Sequence, residues 1–309
     1  MNPLRRSLAE YLELRRALGY GLAEAERLLG QFLDYMQEQR TETITTEHAL
    51  AWATLPRRGD AWHSFRMQAV RGFARYLHSI DPVHEVPPAF LLPDPPHRAT
   101  PYLYSDAEIA ALMAAASTLC TAHRAATYKT LIGLLAVTGM RLGEAVRLDR
   151  EHLDANDRVL IIAETKFGKS RELPLHESTT EALHRYLRRR DRPRPATPTT
   201  ALFISQAGTR LRRQNVWTTV AMLRDHAGIK PRSAACRPRI HDLRHTFAVN
   251  TLLDAYHSGE EAGPKLALLS TYLGHVNPAK TYWYLQAAPE LMALAGERLE
   301  HHLGKGGQQ

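Results

Sequence analysis

Apolar residues recur at helical spacing over residues 7–80: Leu8, Tyr11, Leu12 and Leu14, then Leu28, Leu29, Phe32, Leu33 and Tyr35. This pattern predicts about four helices, with Thr46 as a cap candidate before Glu47-His48-Ala49-Leu50. In the last of them, residues 64–79, Phe65, Val70, Phe73 and Tyr76 interleave with Arg66, Arg71 and Arg75. One face can pack while the other meets phosphates or simply solvent.

The pattern then breaks. Seven prolines fall between Asp81 and Pro101, and each removes an amide donor and disfavours helix, so residues 87–101 read as a linker between two domains. Beyond it, Ser105-Asp106-Ala107-Glu108 opens a helix with good capping chemistry. A long apolar helix over 126–137 stops at Thr138-Gly139. Residues 158–175 change period: Val159-Leu160-Ile161-Ile162-Ala163 and Arg171-Glu172-Leu173-Pro174-Leu175 read as two strands around a Phe167-Gly168-Lys169 turn, Pro174 suiting an edge strand. A second Pro-rich loop, 192–198, precedes further helices. The fold class is mainly α, with one small antiparallel β-sheet in the second domain.

Composition adds less than its distribution does. At 309 residues, two domains are the natural prior, and 40 Lys and Arg against 32 Asp and Glu give a net charge of +8. Over residues 185–239, however, 14 Lys or Arg meet only Asp191 and Asp225, a concentration suited to a phosphate backbone. Two isolated cysteines, Cys120 and Cys236, form neither a metal spacing nor a disulfide framework. No apolar run approaches the ~20 residues of a membrane span, so the expectation is a soluble, cytoplasmic protein without a membrane partner.

Candidate chemistry centres on His241-Asp242-Leu243-Arg244-His245, which sets an imidazole and a guanidinium one helical turn apart, a pair suited to a phosphodiester. The run also spaces two imidazoles as zinc peptidases do, but Asp242 stands where Glu is expected and Arg244 would put a cation beside the metal. Upstream lies Thr138-Gly139-Met140-Arg141-Leu142-Gly143-Glu144, and downstream Leu273-Gly274-His275 and Tyr282-Trp283-Tyr284. In this order and spacing the set resembles the tyrosine recombinase and integrase family, closely from about Tyr102 onward and by layout alone before it.

The resemblance implies a SAM-like helical core-binding domain over 1–86 and a catalytic domain over 102–309. It implies that Arg141 and Arg244 hold the scissile phosphate, with Glu144 supporting Arg141, that His241 assists proton transfer, and that His275 hydrogen-bonds the phosphate. Tyr284 matches the nucleophile, with Tyr282 its nearest competitor. Lys166 matches the family's general acid by register, and Lys169 is its rival at the same turn. Arg66, Arg71, Arg75, Lys169, Arg210, Arg212 and Arg213 are the further candidates for DNA contact. The stretch from His241 to His275 is longer than usual, and the excess around Gly259 to Pro264 reads as an exposed loop. After Pro289, Leu291, Leu294, Ala295, Leu299 and Leu303 make an apolar stripe able to dock in cis or on a neighbour.

The expected activity is site-specific recombination of double-stranded DNA through a 3′ phosphotyrosine, by a tetramer on paired sites, in the service of a mobile element. No cofactor, metal or small-molecule substrate is implied. A type IB topoisomerase and a non-catalytic DNA-binding accessory protein are the alternatives.

Overall fold

A computed structural model of the protein describes residues 3–55, 59–93, 100–154, 156–163, 170–192, 199–259, 262–274 and 281. The described residues form two compact units, one ending at residue 93 and the other starting at residue 100.

The first unit contains α1 (Pro3–Ala17), α2 (Ala23–Glu38), α3 (Thr46–Thr54) and α4 (Asp60–His78). Leu28, Leu29, Phe32 and Leu33 of α2 share one buried core with Leu8 and Leu12 of α1 and Val70 and Phe73 of α4. Trp52 of α3 meets the Phe32 ring edge-on at 5.2 Å. Two details differ from the sequence reading. The cap of α3 is Thr45, whose side chain accepts the His48 amide at 3.2 Å, one residue before Thr46. Phe65 stays largely exposed beside Trp62 instead of joining the core. Within the Pro-rich segment, residues 87–93 are tied to α4: Arg71 donates to the Pro87 and Pro88 carbonyls at 2.8 and 2.7 Å, and Ser64 to that of Pro93 at 2.8 Å. Prolines lack donors but keep their acceptors, and α4 supplies the missing partners.

The second unit runs through α5 (Asp106–Ala116), α6 (Ala122–Thr138), α7 (Leu142–Arg147), a 3-10 turn (Arg150–His152), β1 (Leu153–Asp154), β2 (Val159–Ile162) and β3 (Arg171–Pro174). It continues with α8 (Glu177–Asp191), α9 (Arg213–His226), α10 (Asp242–His257) and α11 (Ala262–Tyr272). Ser105 and Glu108 form the expected reciprocal cap of α5. The sheet is antiparallel in the order β1-β2-β3, with Val159 opposite Pro174 and Ile162 opposite Arg171, so Pro174 lies on an outer strand. Two-residue β1 is too short to show a period and was not anticipated.

Leu112, Leu131, Leu135, Leu160, Leu173, Leu183 and Phe203 belong to the main core, and a smaller one joins Val249 and Leu252 of α10 to Leu266 and Leu269 of α11. The loop expected around Gly259 to Pro264 is shorter than that. Gly263 and Pro264 lie in the first turn of α11, where a proline costs no hydrogen bond. Lys166, Phe167, Gly168, Lys169, His275, Tyr282, Tyr284 and the apolar stripe after Pro289 lie outside the described residues. Among the described residues, no helix is long and apolar enough to cross a membrane.

Candidate active site

The site is built on two chain reversals. The first ends α6 at Gly139, whose φ of +59° is strained for any residue with a side chain. A Cβ there would lie 2.4 Å from the Phe247 ring, so glycine is required on both counts. The turn delivers Arg141 to the start of α7. Glu144, one helical turn on, accepts the Arg141 amide through Oε2 and Arg141 Nη1 through Oε1, both at 2.9 Å. Arg171 at the head of β3 closes on the same carboxylate, Nη1 to Oε1 at 3.3 Å and Nη2 to Oε2 at 2.8 Å. Glu144 is only 3% exposed. Burial alone would raise its pKa, but the bonds and charge of Arg171, then the amide and charge of Arg141, outweigh burial and bring it to about 2.

The second reversal leads into α10. Asp242, completely buried, accepts the Arg239 amide at 2.8 Å and the Arg239 guanidinium at 2.8 and 3.1 Å, and so fixes the start of the helix. His241 precedes it. Arg244, 2% exposed, donates Nη1 to the Gly139 carbonyl and Nη2 to the Leu273 carbonyl, each at 2.8 Å. The first acceptor lies two residues before Arg141, and the second two residues before His275. Burial, then the cation of Arg244, push the His241 pKa below 6.5 despite the opposing charge of Asp242, so its imidazole is neutral at pH 7. The His245 ring stands edge-on to His241 at 5.0 Å and is buried, in keeping with a packing role.

Residues 103–290 match the phage integrase family. The chain belongs to that family. Over 307 residues it is 44% identical to y4rB of Sinorhizobium fredii, assigned by name as an integrase/recombinase, covering 97% of this chain and 98% of that one. Its fold is like that of the Tn1549 transposon integrase solved with transposon right end DNA, at a TM-score of 0.65 and 16% identity, covering 96% of this chain and 98% of that one. It is also like a lambda integrase tetramer bound to a Holliday junction, at a TM-score of 0.59 and 17% identity over 91% and 76% of the two chains. This integrase is therefore a site-specific recombinase of the tyrosine class, which cleaves and rejoins DNA by a tyrosine nucleophile.

The candidate DNA-contact residues of the integrase divide by placement. Arg66 is buried, its guanidinium 3.6 Å from the Trp52 ring centroid and bonded to the Trp52 carbonyl at 2.6 Å, which takes it off the outer face of α4. Arg71 is bound to the prolines as described, whereas Arg75 is exposed. Arg210 is engaged with the Val146 and Leu148 carbonyls at 3.1 and 3.2 Å and with Asp149 at 2.5 Å. Arg212 and Arg213 are exposed at the start of α9, and the Arg213 guanidinium would lie 3.6 Å from a Cβ on Gly143, beside the first turn of α7. The basic run of 185–239 is thus partly structural. Arg190 within it is fully buried and holds the Ala201 and Leu202 carbonyls at 2.5 and 2.8 Å.

Arg171 is the site residue that the sequence reading missed, although a signal was present. Strand alternation puts it on the same face as Leu173, which is fully buried, and an arginine on a buried face needs a carboxylate. Among the described residues Asp149, Glu151 and His152 come close enough to share a cation, but Asp149 is already bonded to Arg210 and Thr200.

Proposed function

We propose that this integrase serves a mobile element and acts on paired DNA sites as a tetramer, with Tyr284 as its nucleophile. Tyr284 attacks the scissile phosphorus, its oxygen becomes the 3′ phosphotyrosyl ester, and the 5′ oxygen leaves with a proton supplied by Lys166. The forks of Arg141 and Arg244 hold the non-bridging oxygens as charge develops, and His275 adds a hydrogen bond. Neutral His241 accepts a proton on the path from the tyrosine hydroxyl. The ester retains the energy of the broken bond, so a second 5′ hydroxyl reverses the step on another strand.

The observation that supports this reading best is the convergence at Arg244. One guanidinium binds the turn that presents Arg141 and the turn that leads to His275, so three motifs far apart in sequence are held in one register. The kinship to y4rB and the fold likeness to a transposon integrase support the mobile-element role. Residues 1–86 serve as the core-binding domain, with exposed Arg75, Arg212 and Arg213 as phosphate contacts; Lys169 adds to them.

The test uses short duplexes tiled across the DNA flanking the gene, each nicked so that the cleaved strand diffuses away and traps the protein. A covalent adduct with one duplex, and strand exchange between two copies of it, are expected. Relaxation of supercoils without exchange would favour a topoisomerase, and binding without adduct an accessory protein.

A further inference from the structure

Arg171 touches three parts of the site at once. Its two terminal nitrogens are committed to the two oxygens of Glu144. It packs so closely on Gly274 that a Cβ there would lie 3.0 Å from Nη1, and the φ of +68° at Gly274 independently demands glycine. Finally, it forms the terminal pair of the β2–β3 ladder with Ile162, from which the segment carrying Lys166 departs. Glu144 in turn holds Arg141 by backbone and side chain.

We infer that Arg171 is a positioning residue for Arg141: it fixes the Glu144 carboxylate, and through it the orientation of the Arg141 guanidinium toward the phosphate. The inference rests on the reading of Arg141 as a phosphate ligand. A carboxylate that accepts four hydrogen bonds from two guanidinia and one amide has no rotational freedom. A buried carboxylate held by Arg141 alone would turn toward it, draw Nη2 inward, and remove the donor edge that a phosphate needs. Arg171 Nη1 and Nη2 each direct a hydrogen at Glu144, so the expected defect is in the orientation of Arg141 rather than in a lost Arg171–phosphate bond.

The experiment is single-turnover adduct formation by the full-length protein on the trapping duplex, at protein concentrations that saturate the DNA, with binding measured separately by gel shift. Arg171→Met is expected to bind the duplex within about threefold of wild type yet to cleave roughly 10–100-fold more slowly, the range for a slightly misplaced catalytic group. Adding Arg171→Met to Glu144→Gln should bring little further loss, because Arg171 acts on Arg141 through that carboxylate. A duplex with a methylphosphonate at the scissile position adds a readout that mere loosening would not move. The stereoisomer that relieves Arg141→Ala should also relieve Arg171→Met, since both defects lie in the same donor edge.

Wild-type cleavage by Arg171→Met would overturn the inference. Relief by the opposite stereoisomer, or losses that multiply with Glu144→Gln, would make Arg171 a direct phosphate ligand and overturn it as well. If Arg171→Met does not fold, Arg171→Lys carries the test: one ammonium keeps the ion pair but not the fork, so intact binding with slowed cleavage is expected and a wild-type rate refutes the idea. No adduct from the wild type would remove the parent reading and this inference together, whereas equal adduct rates in wild type and variant remove this inference alone.

Discussion

Arg141 and Glu144 meet twice, through the Arg141 amide and through Nη1, each at 2.9 Å. The pair therefore fixes both the backbone and the side chain of the arginine, leaving its Nη2 edge as the one directed elsewhere. Nη2 lies 3.5 Å from the Gly274 carbonyl, a contact weak enough for a phosphate to replace.

Removing that carboxylate leaves Arg171 and Arg141 without their acceptor in a mostly buried place. Glu144→Ala should lower stability by about 3–5 kcal/mol, the usual effect of breaking a buried pair from one side. Urea titration checks the magnitude.

The same group makes the fold sensitive to acid. Its pKa is about 2 in the folded protein and 4.5 otherwise, so its contribution is complete above 4.5 and disappears as the pH falls toward 2. At ~1.4 kcal/mol per pH unit the interval corresponds to ~3 kcal/mol. Glu144→Gln should show a shallower decline than wild type over that interval in melting experiments, and an unchanged slope would mean the carboxylate is not held as described.

His241 acts near neutrality. Because its pKa is lowered by burial and by Arg244, the unfolded chain takes up a proton around pH 6.5 that the folded protein refuses, and stability falls as the pH drops below that value. His241→Gln should reduce this fall. A buried His84, whose pKa is also lowered, accounts for part of what remains.

For Tyr284, substitution by Phe should retain DNA affinity and abolish the adduct, since only the attacking oxygen is lost. Peptide mapping of the wild-type adduct identifies the residue, and recovery of Tyr282 in the linked peptide would shift the register.

Lys166→Ala should be slow on ordinary DNA and recover on a 5′-bridging phosphorothiolate, whose thiolate leaves without a proton. Equal loss on both substrates would make Lys166 a binding residue, and recovery confined to Lys169→Ala would move the acid there.

On α4 two arginines nine residues apart should behave oppositely. Arg66→Ala removes a stacked, hydrogen-bonded interior group and should destabilise the protein by about 2 kcal/mol with little change in the salt dependence of DNA binding. Arg75→Ala should leave stability intact and lower the salt slope by roughly one. Equal salt slopes for wild type and Arg75→Ala would remove it from the interface.

The helical order, the sheet and the H-x-x-R and T-G-x-R-x-x-E motifs were legible because each rests on local rules: period, capping and fixed spacing. What escaped depends on contacts between distant segments. Arg66 and Arg75 carry the same side chain on one helix, and only the position of Trp52, on α3, decides that one turns inward. Arg71 looked like a surface cation because nothing local says that donorless Pro87 and Pro88 would offer it their carbonyls. Arg171 was visible as a strand residue on a buried face, but its partner lies 27 residues upstream.

Gly139 carries a consequence for the spacing of the two segments that carry Arg141 and Arg244. Its carbonyl receives Arg244, its Cα faces the ring of Phe247, and both of those residues belong to one turn of α10. The gap between the strand of chain that presents Arg141 and the helix that presents Arg244 is therefore set by a hydrogen atom. A methyl group in its place would act as a shim, prying α10 outward and carrying His241 with it. The loss would be total for strand cleavage while the outer surface and net charge of the protein stayed unchanged.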